Sequence, residues 1–293
     1  MKKLTALLLL LCVLLTGCQL ELLFPTEAPF VGDGKLNVHF IDVGQADSIL
    51  LECDGEFALV DGGNVADGDL VIDYLEAQNV QKLSLVVGTH PHEDHIGGLA
   101  DVLDHFPVEN LWFSAHPNTN KTIRSFLDAA DRQDLDIVEG KPGMQFALGR
   151  ATITVLGPVR TDYDDVNNLS LVLMVQFGAN RFLLTGDMER VAENDLIESG
   201  ADLRADVLKV GHHGSSTSTG YRFLREVMPT YGIISCGQDN DYGHPHEEPL
   251  SRLEDAEVVV FRTDLVSHIV ATSDGRNITI TYATEDSSLP NAA

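Results

Sequence analysis

A chain of 293 residues with 44% apolar and 22% charged residues can bury one large core or two small ones, which excludes a wholly disordered protein. Its formal net charge of −26 repels polyanions at long range and counts against tight nonspecific nucleic-acid binding, which depends on basic residues. A phosphate-bearing substrate stays open, because bound metal ions supply positive charge locally.

Lys2 and Lys3 precede an apolar stretch, 4–15, interrupted only by Thr5 and too short to span a bilayer as a stable helix. It ends in Leu15-Thr16-Gly17-Cys18. Small residues before a cysteine at this point resemble the lipobox of a bacterial lipoprotein leader. The resemblance implies cleavage before Cys18, lipidation of its thiol and a membrane-anchored, extracytoplasmic protein. An ordinary signal peptide with a chance cysteine is the alternative. Residues 18–34, with Pro25, Pro29, Gly32 and Gly34, read as a tether. Cys53 and Cys236 lie in apolar, strand-like segments and read as two buried free thiols, although the compartment would permit a disulfide.

From Leu36 onward, strand and helix patterns alternate. Strands are predicted over 36–43, 48–52 and 57–60, the last two turned at Asp54-Gly55. A helix over 69–78 leads to a buried strand, 83–88, and a helix over 97–106 follows. Then come a strand at 110–114, a helix at 122–133, strands at 151–156, 170–178 and 181–184, and a helix at 190–199. Beyond these lie a strand at 206–210, a helix at 218–227 stopped by Pro229, a strand at 231–235 and a short helix at 249–255. Strands at 258–262, 268–272 and 278–282 close the domain, and 286–293 read as a polar tail.

Thr89-His90-Pro91-His92-Glu93-Asp94-His95 follows the buried strand directly. Three histidines and an aspartate in six residues offer neutral imidazole nitrogens and a carboxylate, the donors that zinc and similar ions accept. On an extended turn, His90 and His92 can share one ion, and Asp94 and His95 can reach a second. A metal pair polarises a phosphoryl or carbonyl oxygen and lowers the pKa of water to about 7. Asp187 follows an apolar strand and a glycine, where a carboxylate can bridge two ions or cap the next helix. His212 and His213 follow another buried strand. One of them ligates the second ion and the other meets substrate or a neighbouring carboxylate, with strand-end geometry favouring His213 as the ligand. In the loop Tyr242-Gly243-His244-Pro245-His246, His244 is the candidate general acid. His246 either assists, caps the following helix or stays solvated. His39, His105, His116 and His268 show no partner cluster.

The 90–95 segment resembles the HxHxDH signature of the metallo-β-lactamase superfamily. Phe40-Ile41-Asp42-Val43-Gly44-Gln45-Ala46-Asp47-Ser48, Asp61-Gly62-Gly63, Asn167 to Leu173, Leu184-Thr185-Gly186-Asp187, Leu208 to Ser215 and Tyr242 to His246 further resemble, in order, motifs of the hydrolase domain of the ComEC competence family. The resemblance implies a four-layer αβ/βα sandwich over 35–285, an α/β fold (α+β by some schemes). It also implies two divalent ions, zinc or manganese, held by His90, His92, Asp94, His95, Asp187 and His213. Asp42, Gln45, Asp47 and Asp61 would shape the floor of the site and orient ligands from behind, with plain turn hydrogen bonding an equal alternative for Asp47. Many superfamily members carry a further histidine between the signature and the bridging aspartate. Here Asn167 stands at that place, and an amide oxygen is a harder, weaker ligand that suits manganese better than imidazole does.

The expected activity is hydrolysis by metal-activated water, with Asp94 orienting the water and His244 or His212 assisting the leaving group. A phosphodiester is the expected substrate, either nucleic acid or a cell-surface phosphoryl ester. The absence of a basic patch with interleaved aromatics weighs against nucleic acid. A lactamase or lactonase of the same fold and a silent surface-binding lipoprotein are the alternatives.

Overall fold

A computed structural model describes residues 34–114 and 120–282. The expected leader, the Cys18 anchor, the tether up to residue 33, His116 and the polar tail lie outside the described residues. In chain order the strands are β1 (Leu36–Phe40), β2 (Ile49–Cys53), β3 (Glu56–Val60), β4 (Leu85–Gly88), β5 (Leu111–Phe113), β6 (Ile137–Glu139), β7 (Gln145–Leu148), β8 (Ala151–Gly157), β9 (Val172–Phe177), β10 (Asn180–Leu184), β11 (Val207–Lys209), β12 (Tyr231–Ile234), β13 (Val259–Arg262), β14 (Ile269–Ser273) and β15 (Ile278–Tyr282). The helices are α1 (Gly68–Ala77), α2 (Glu93–Ile96), α3 (Leu99–His105), α4 (Lys121–Arg132), α5 (Arg190–Glu198), α6 (Tyr221–Val227), α7 (Glu247–Asp255) and α8 (Thr263–Val266).

Two mixed sheets result, ordered β15-β14-β1-β2-β3-β4-β5-β6 and β13-β12-β11-β10-β9-β8-β7. Asp54 and Gly55 both take positive φ, at 53° and 78°, which a tight hairpin between β2 and β3 demands. β4, β5 and β6 then run parallel to β3, and β11, β12 and β13 run parallel to β10.

Strand alternation sends Val38, Leu51, Val87, Val155, Leu173 and Phe182 into the space between the sheets. The other faces take helices. Leu75, Val102 and Phe126 from α1, α3 and α4 cover Leu50, Leu59 and Val86. Leu196, Leu224 and Leu253 from α5, α6 and α7 cover Leu183, Leu208 and Ile234. The architecture is therefore helix, sheet, sheet, helix, the four-layer sandwich that the sequence implied. Each such side chain contributes about 1.5–3 kcal/mol by leaving water. Cys53 and Cys236 are both buried and free.

Two of the four sheet edges, β6 and β7, and the one-turn helices α2 and α8 escaped prediction. β6 is an exposed edge strand without alternation, β7 closes the edge of the second sheet, and α8 is a single turn. α6 begins at Tyr221 rather than at 218, because 215–220 form a loop pinned from outside. Glu193 accepts the backbone N–H groups of Thr219 and Gly220, and the Arg252 guanidinium donates to the Ser218 carbonyl at 2.9 Å.

Candidate metal centre

The parallel strands β4, β10, β11 and β12 deliver their carboxyl ends, and the loops after β1 and β3, to one edge of the sandwich. That is where open α/β sheets place ligand sites. β4 is buried along its length and ends at Gly88, with Thr89 next in the chain. His92 then takes the extended N-cap position of α2, so that α2 presents Asp94 and His95 in its single turn. Gly97 and Gly98 let this segment lie against the 61–64 loop: a Cβ on Gly97 would fall 2.2 Å from the Val65 nitrogen, and one on Gly98 would fall 2.3 Å from the Gly62 carbonyl.

Asp187 sits between two sets of nitrogens. Its Oδ2 lies 3.8 Å from His90 Nε2, and that nitrogen lies 3.1 Å from His92 Nδ1. Its Oδ1 lies 3.2 Å from His95 Nε2 and 3.5 Å from His213 Nε2. Asp94 Oδ2 completes the second set, 3.3 Å from His213 Nε2. Thus His90, His92 and Asp187 form one potential metal-holding group, and Asp94, His95, Asp187 and His213 form another.

The groups behind the rings fix which atoms face inward. The Ser235 carbonyl can only accept, so His213 Nδ1 donates to it at 3.0 Å and Nε2 presents its lone pair. His95 Nδ1 faces Asp61 Oδ2 at 2.8 Å, while Asp61 also accepts from the Thr89 backbone N–H and hydroxyl. His95 Nε2, His213 Nε2 and Asp187 Oδ1 are buried without a hydrogen-bond partner among the described residues. Converging, unpaired acceptors deep in a protein are costly unless a cation satisfies them, so this donor set fits a divalent metal.

Electrostatics agree. Burial alone would raise Asp187, but His95 and His213 outweigh it and hold the carboxyl well below the ordinary range. Burial opposes charge on His213, yet Asp187 and Asp47 overcome it and raise that imidazole to about 10. The same carboxylates that draw a proton draw a metal cation, which would displace it.

His212 and His213 take positive φ, at 51° and 52°, before Gly214 at 81°. Non-glycine residues in this region cost about 1–3 kcal/mol each. The kink separates the two rings. His213 turns inward, whereas His212 stays partly exposed, with Nε2 3.7 Å from Asp187 Oδ2 and Nδ1 3.3 Å from the Thr217 hydroxyl. Asn167 is buried, and its Oδ1 also lacks a partner among the described residues. Its carbonyl accepts from the Ser170 hydroxyl at 2.7 Å, and that hydroxyl lies 3.4 Å from His90 Nδ1.

Above these groups lies a cavity of about 450 Å³, lined by His92, Asp94, Asp187, His212, His213 and His244 with Gln45, Asn64, Glu93 and Tyr242. No Lys or Arg lines it among the described residues. His244 stacks on His213 at 6.4 Å and 22°. Burial, followed by the neighbouring His213, His212 and His246, pushes His244 down to about 4. His246 occupies the N-cap position of α7 but makes no capping bond. Its Nδ1 accepts from the Ser216 N–H at 2.9 Å, tying two site loops together.

Several expectations need correction. Glu189, not Asp187, is the N-cap of α5. Asp42 does not join the floor of the site: its carboxylate accepts from Gly44 and its N–H donates to His268 Nδ1 at 2.9 Å. Asp47 is more than a turn former, because its Oδ1 lies 3.4 Å from His213 Nδ1 and its Oδ2 lies 2.9 Å from Lys209 Nζ. Pattern along the chain assigns no role to Lys209, which is fully buried at the end of β11. A lysine closing an apolar strand was the available signal. Likewise His39 and His268, read as isolated, both meet Tyr74, His39 through a 3.0 Å contact to its hydroxyl.

The fold, the Asp187-centred groups and the match of residues 41–238 to the family's model place the chain in the metallo-beta-lactamase superfamily. It is similar to ComE operon protein 3 of Bacillus subtilis (strain 168), 33% identical over 249 residues, 78% of this chain and 32% of that protein. It is also similar to Recombination protein 2 of Haemophilus influenzae, 31% identical over 222 residues, 74% of this chain and 26% of that protein. The chain thus spans about a third or less of these relatives. Among solved structures, the metallo-beta-lactamase fold protein YhfI from Bacillus subtilis matches with a TM-score of 0.55 at 15% identity, over 82% of this chain and 99% of that one. CmlA, a diiron beta-hydroxylase from Streptomyces venezuelae, matches with a TM-score of 0.53 at 13% identity, over 80% of this chain and 53% of that one. At such identities the likeness concerns the fold alone.

Proposed function

We propose that this chain is a metal-dependent phosphodiesterase acting outside the cytoplasm. The observation that carries the proposal is the Asp187 carboxylate, whose two oxygens face two separate nitrogen sets. His90, His92 and Asp187, with Asn167 as a fourth donor, would hold one divalent ion; Asp94, His95, Asp187 and His213 would hold the other. The chemistry such ions supply is Lewis-acid polarisation of a phosphoryl oxygen and a lowered pKa for water.

The chain's own groups do the rest. Asp94, partly exposed to the cavity, accepts a hydrogen bond from the attacking water and aims it. His212, on the opposite side of Asp187, contacts a substrate oxygen. His244 faces the leaving group. A cavity with Glu93 in its lining and no lysine or arginine among the described residues favours a phosphodiester, which carries one negative charge, over phosphomonoesters and polyphosphates that carry more. The name of one relative, Recombination protein 2, favours nucleic acid as the source of that diester, whereas the net charge of −26 favours a small or cell-surface ester. Anchoring through lipidated Cys18 belongs to the same proposal, and loss of lipid labelling in Cys18→Ala tests it.

The test is metal analysis coupled to hydrolysis of bis(p-nitrophenyl) phosphate, single-stranded DNA, p-nitrophenyl phosphate and nitrocefin by the zinc- and manganese-loaded protein. Metal-dependent cleavage of a diester, lost in Asp94→Ala, supports the proposal. Full metal content without diester cleavage, or cleavage of nitrocefin alone, contradicts it.

A further inference from the structure

The histidines of this site differ in what stands behind them. Behind His213 and His95 stand acceptors, the Ser235 carbonyl and the Asp61 carboxylate, which turn the Nε2 atoms toward Asp187. Behind His244 stands Gln45. The Gly237 N–H donates to Gln45 Oε1 at 3.1 Å, and a backbone N–H cannot accept, so this contact assigns the amide oxygen. The amide NH2 therefore faces His244 Nδ1, at 3.2 Å. An amide nitrogen cannot accept either, so Nδ1 holds the lone pair and the neutral ring carries its proton on Nε2.

The arrangement is tightly built. Gln45 sits on a turn after β1 with Gly44 at φ 69°. A side chain at Gly237 would bring a Cβ within 2.7 Å of the Gln45 nitrogen. The His244 backbone is held independently by Asn240, whose Oδ1 accepts the His244 N–H at 3.0 Å and whose Nδ2 donates to the His244 carbonyl at 2.6 Å. What Gln45 adds is control of the ring. His244 Nε2 makes no hydrogen bond among the described residues, and the ring lines the cavity.

Building on the proposed phosphodiesterase activity, we propose that Gln45 is a positioning residue that fixes His244 in the Nε2–H tautomer, so that His244 serves the leaving oxygen as a neutral hydrogen-bond donor. The cavity thereby presents lone pairs where cations belong and one N–H where negative charge develops. In the reaction the water oxygen forms the new P–O bond, and the leaving P–O bond breaks with its electron pair on the leaving oxygen. That oxygen is stabilised by the Nε2–H and finally takes up the proton that water gives up. Histidine is neither consumed nor oxidised.

The test pairs two variants with two readouts on the zinc-loaded protein. Nitrogen NMR of the histidine rings should report His244 as Nε2–H in the native protein. In Gln45→Glu a carboxylate replaces the amide donor at nearly the same shape, and the tautomer should invert to Nδ1–H; in Gln45→Met the preference should be lost. Across a series of aryl ethyl phosphodiesters, both variants should lose rate on the poorest leaving groups, on the order of 10²-fold, and change little on p-nitrophenolate. A native Nδ1–H ring, or an unchanged Nε2–H ring in both variants, overturns the proposal whatever the activity. A rate loss equal across the series overturns the leaving-group role. Absence of all diester turnover in the native protein sinks the phosphodiesterase activity instead, and the NMR result still decides whether Gln45 holds the ring.

Discussion

Lys209 and Asp47 form an ion pair wholly removed from solvent, Nζ to Oδ2 at 2.9 Å, directly behind His213. Burial would raise Asp47, but Lys209 and His213 overcome it and hold the carboxyl well below its ordinary range. The lysine keeps Asp47 ionised, and the ionised Asp47 reinforces the orientation that the Ser235 carbonyl gives to His213. Breaking a buried pair leaves an uncompensated charge. Lys209→Met should therefore cost about 3–5 kcal/mol, and Lys209→Met with Asp47→Asn should recover part of it. Urea denaturation measures both. A single variant as stable as the native protein contradicts the role.

Groups that stand behind the candidate metal ligands carry their own cost. Asp61→Asn removes the carboxylate behind His95 while keeping its shape. Metal affinity should fall about 10–100-fold, read by chelator competition, with the fold retained by circular dichroism. An unchanged affinity would show that Asp61 serves packing alone.

If Asn167 donates to an ion beside His90 and His92, as proposed, its replacement should change which metal binds there. Asn167→His should raise affinity for zinc relative to manganese there, because imidazole is the softer ligand. Asn167→Ala should lower occupancy at that position and spare the one at His95 and His213. Metal analysis over a range of free metal checks both outcomes, and equal losses at the two positions would contradict them.

A pH dependence follows from Glu193, which clamps the 215–220 loop. Burial pushes its carboxyl up to about 7, although the Gly220 and Thr219 N–H groups and the nearby Arg190 and Arg252 pull the other way. The folded state thus holds this proton more tightly than the unfolded chain, whose glutamate keeps a value near 4.5. The associated stability is whole below that pH and is lost as pH rises through about 7. Between pH 5 and pH 8 the native protein should lose on the order of 1–3 kcal/mol relative to Glu193→Gln. Parallel stability profiles for the two proteins would contradict the assignment.

What the chain disclosed in advance depends on range. The clustering of His90, His92, Asp94 and His95 was legible because their spacing within six residues is local, and β4 because a strand covered on both faces reads as an apolar run. The exposed edge strand β6 lacks a burial pattern and was invisible. The partners that orient the site are distant in sequence. Gln45 and His244 are 199 residues apart, and Asp61 and His95 are 34 apart. Pattern along the chain cannot pair such groups; only the meeting of strand ends from both sheets does. Asp42 shows the converse, a motif residue whose hydrogen bonds lead away from the cavity to His268.

The central claim is that Asp187 stands between two metal positions. Anomalous scattering from a crystal grown with zinc or manganese tests it most directly. Two peaks are predicted, one among His90, His92 and Asp187 and one among Asp94, His95, Asp187 and His213, with both lost or displaced in Asp187→Asn. A single peak that does not touch Asp187, or none at saturating metal, would contradict the account.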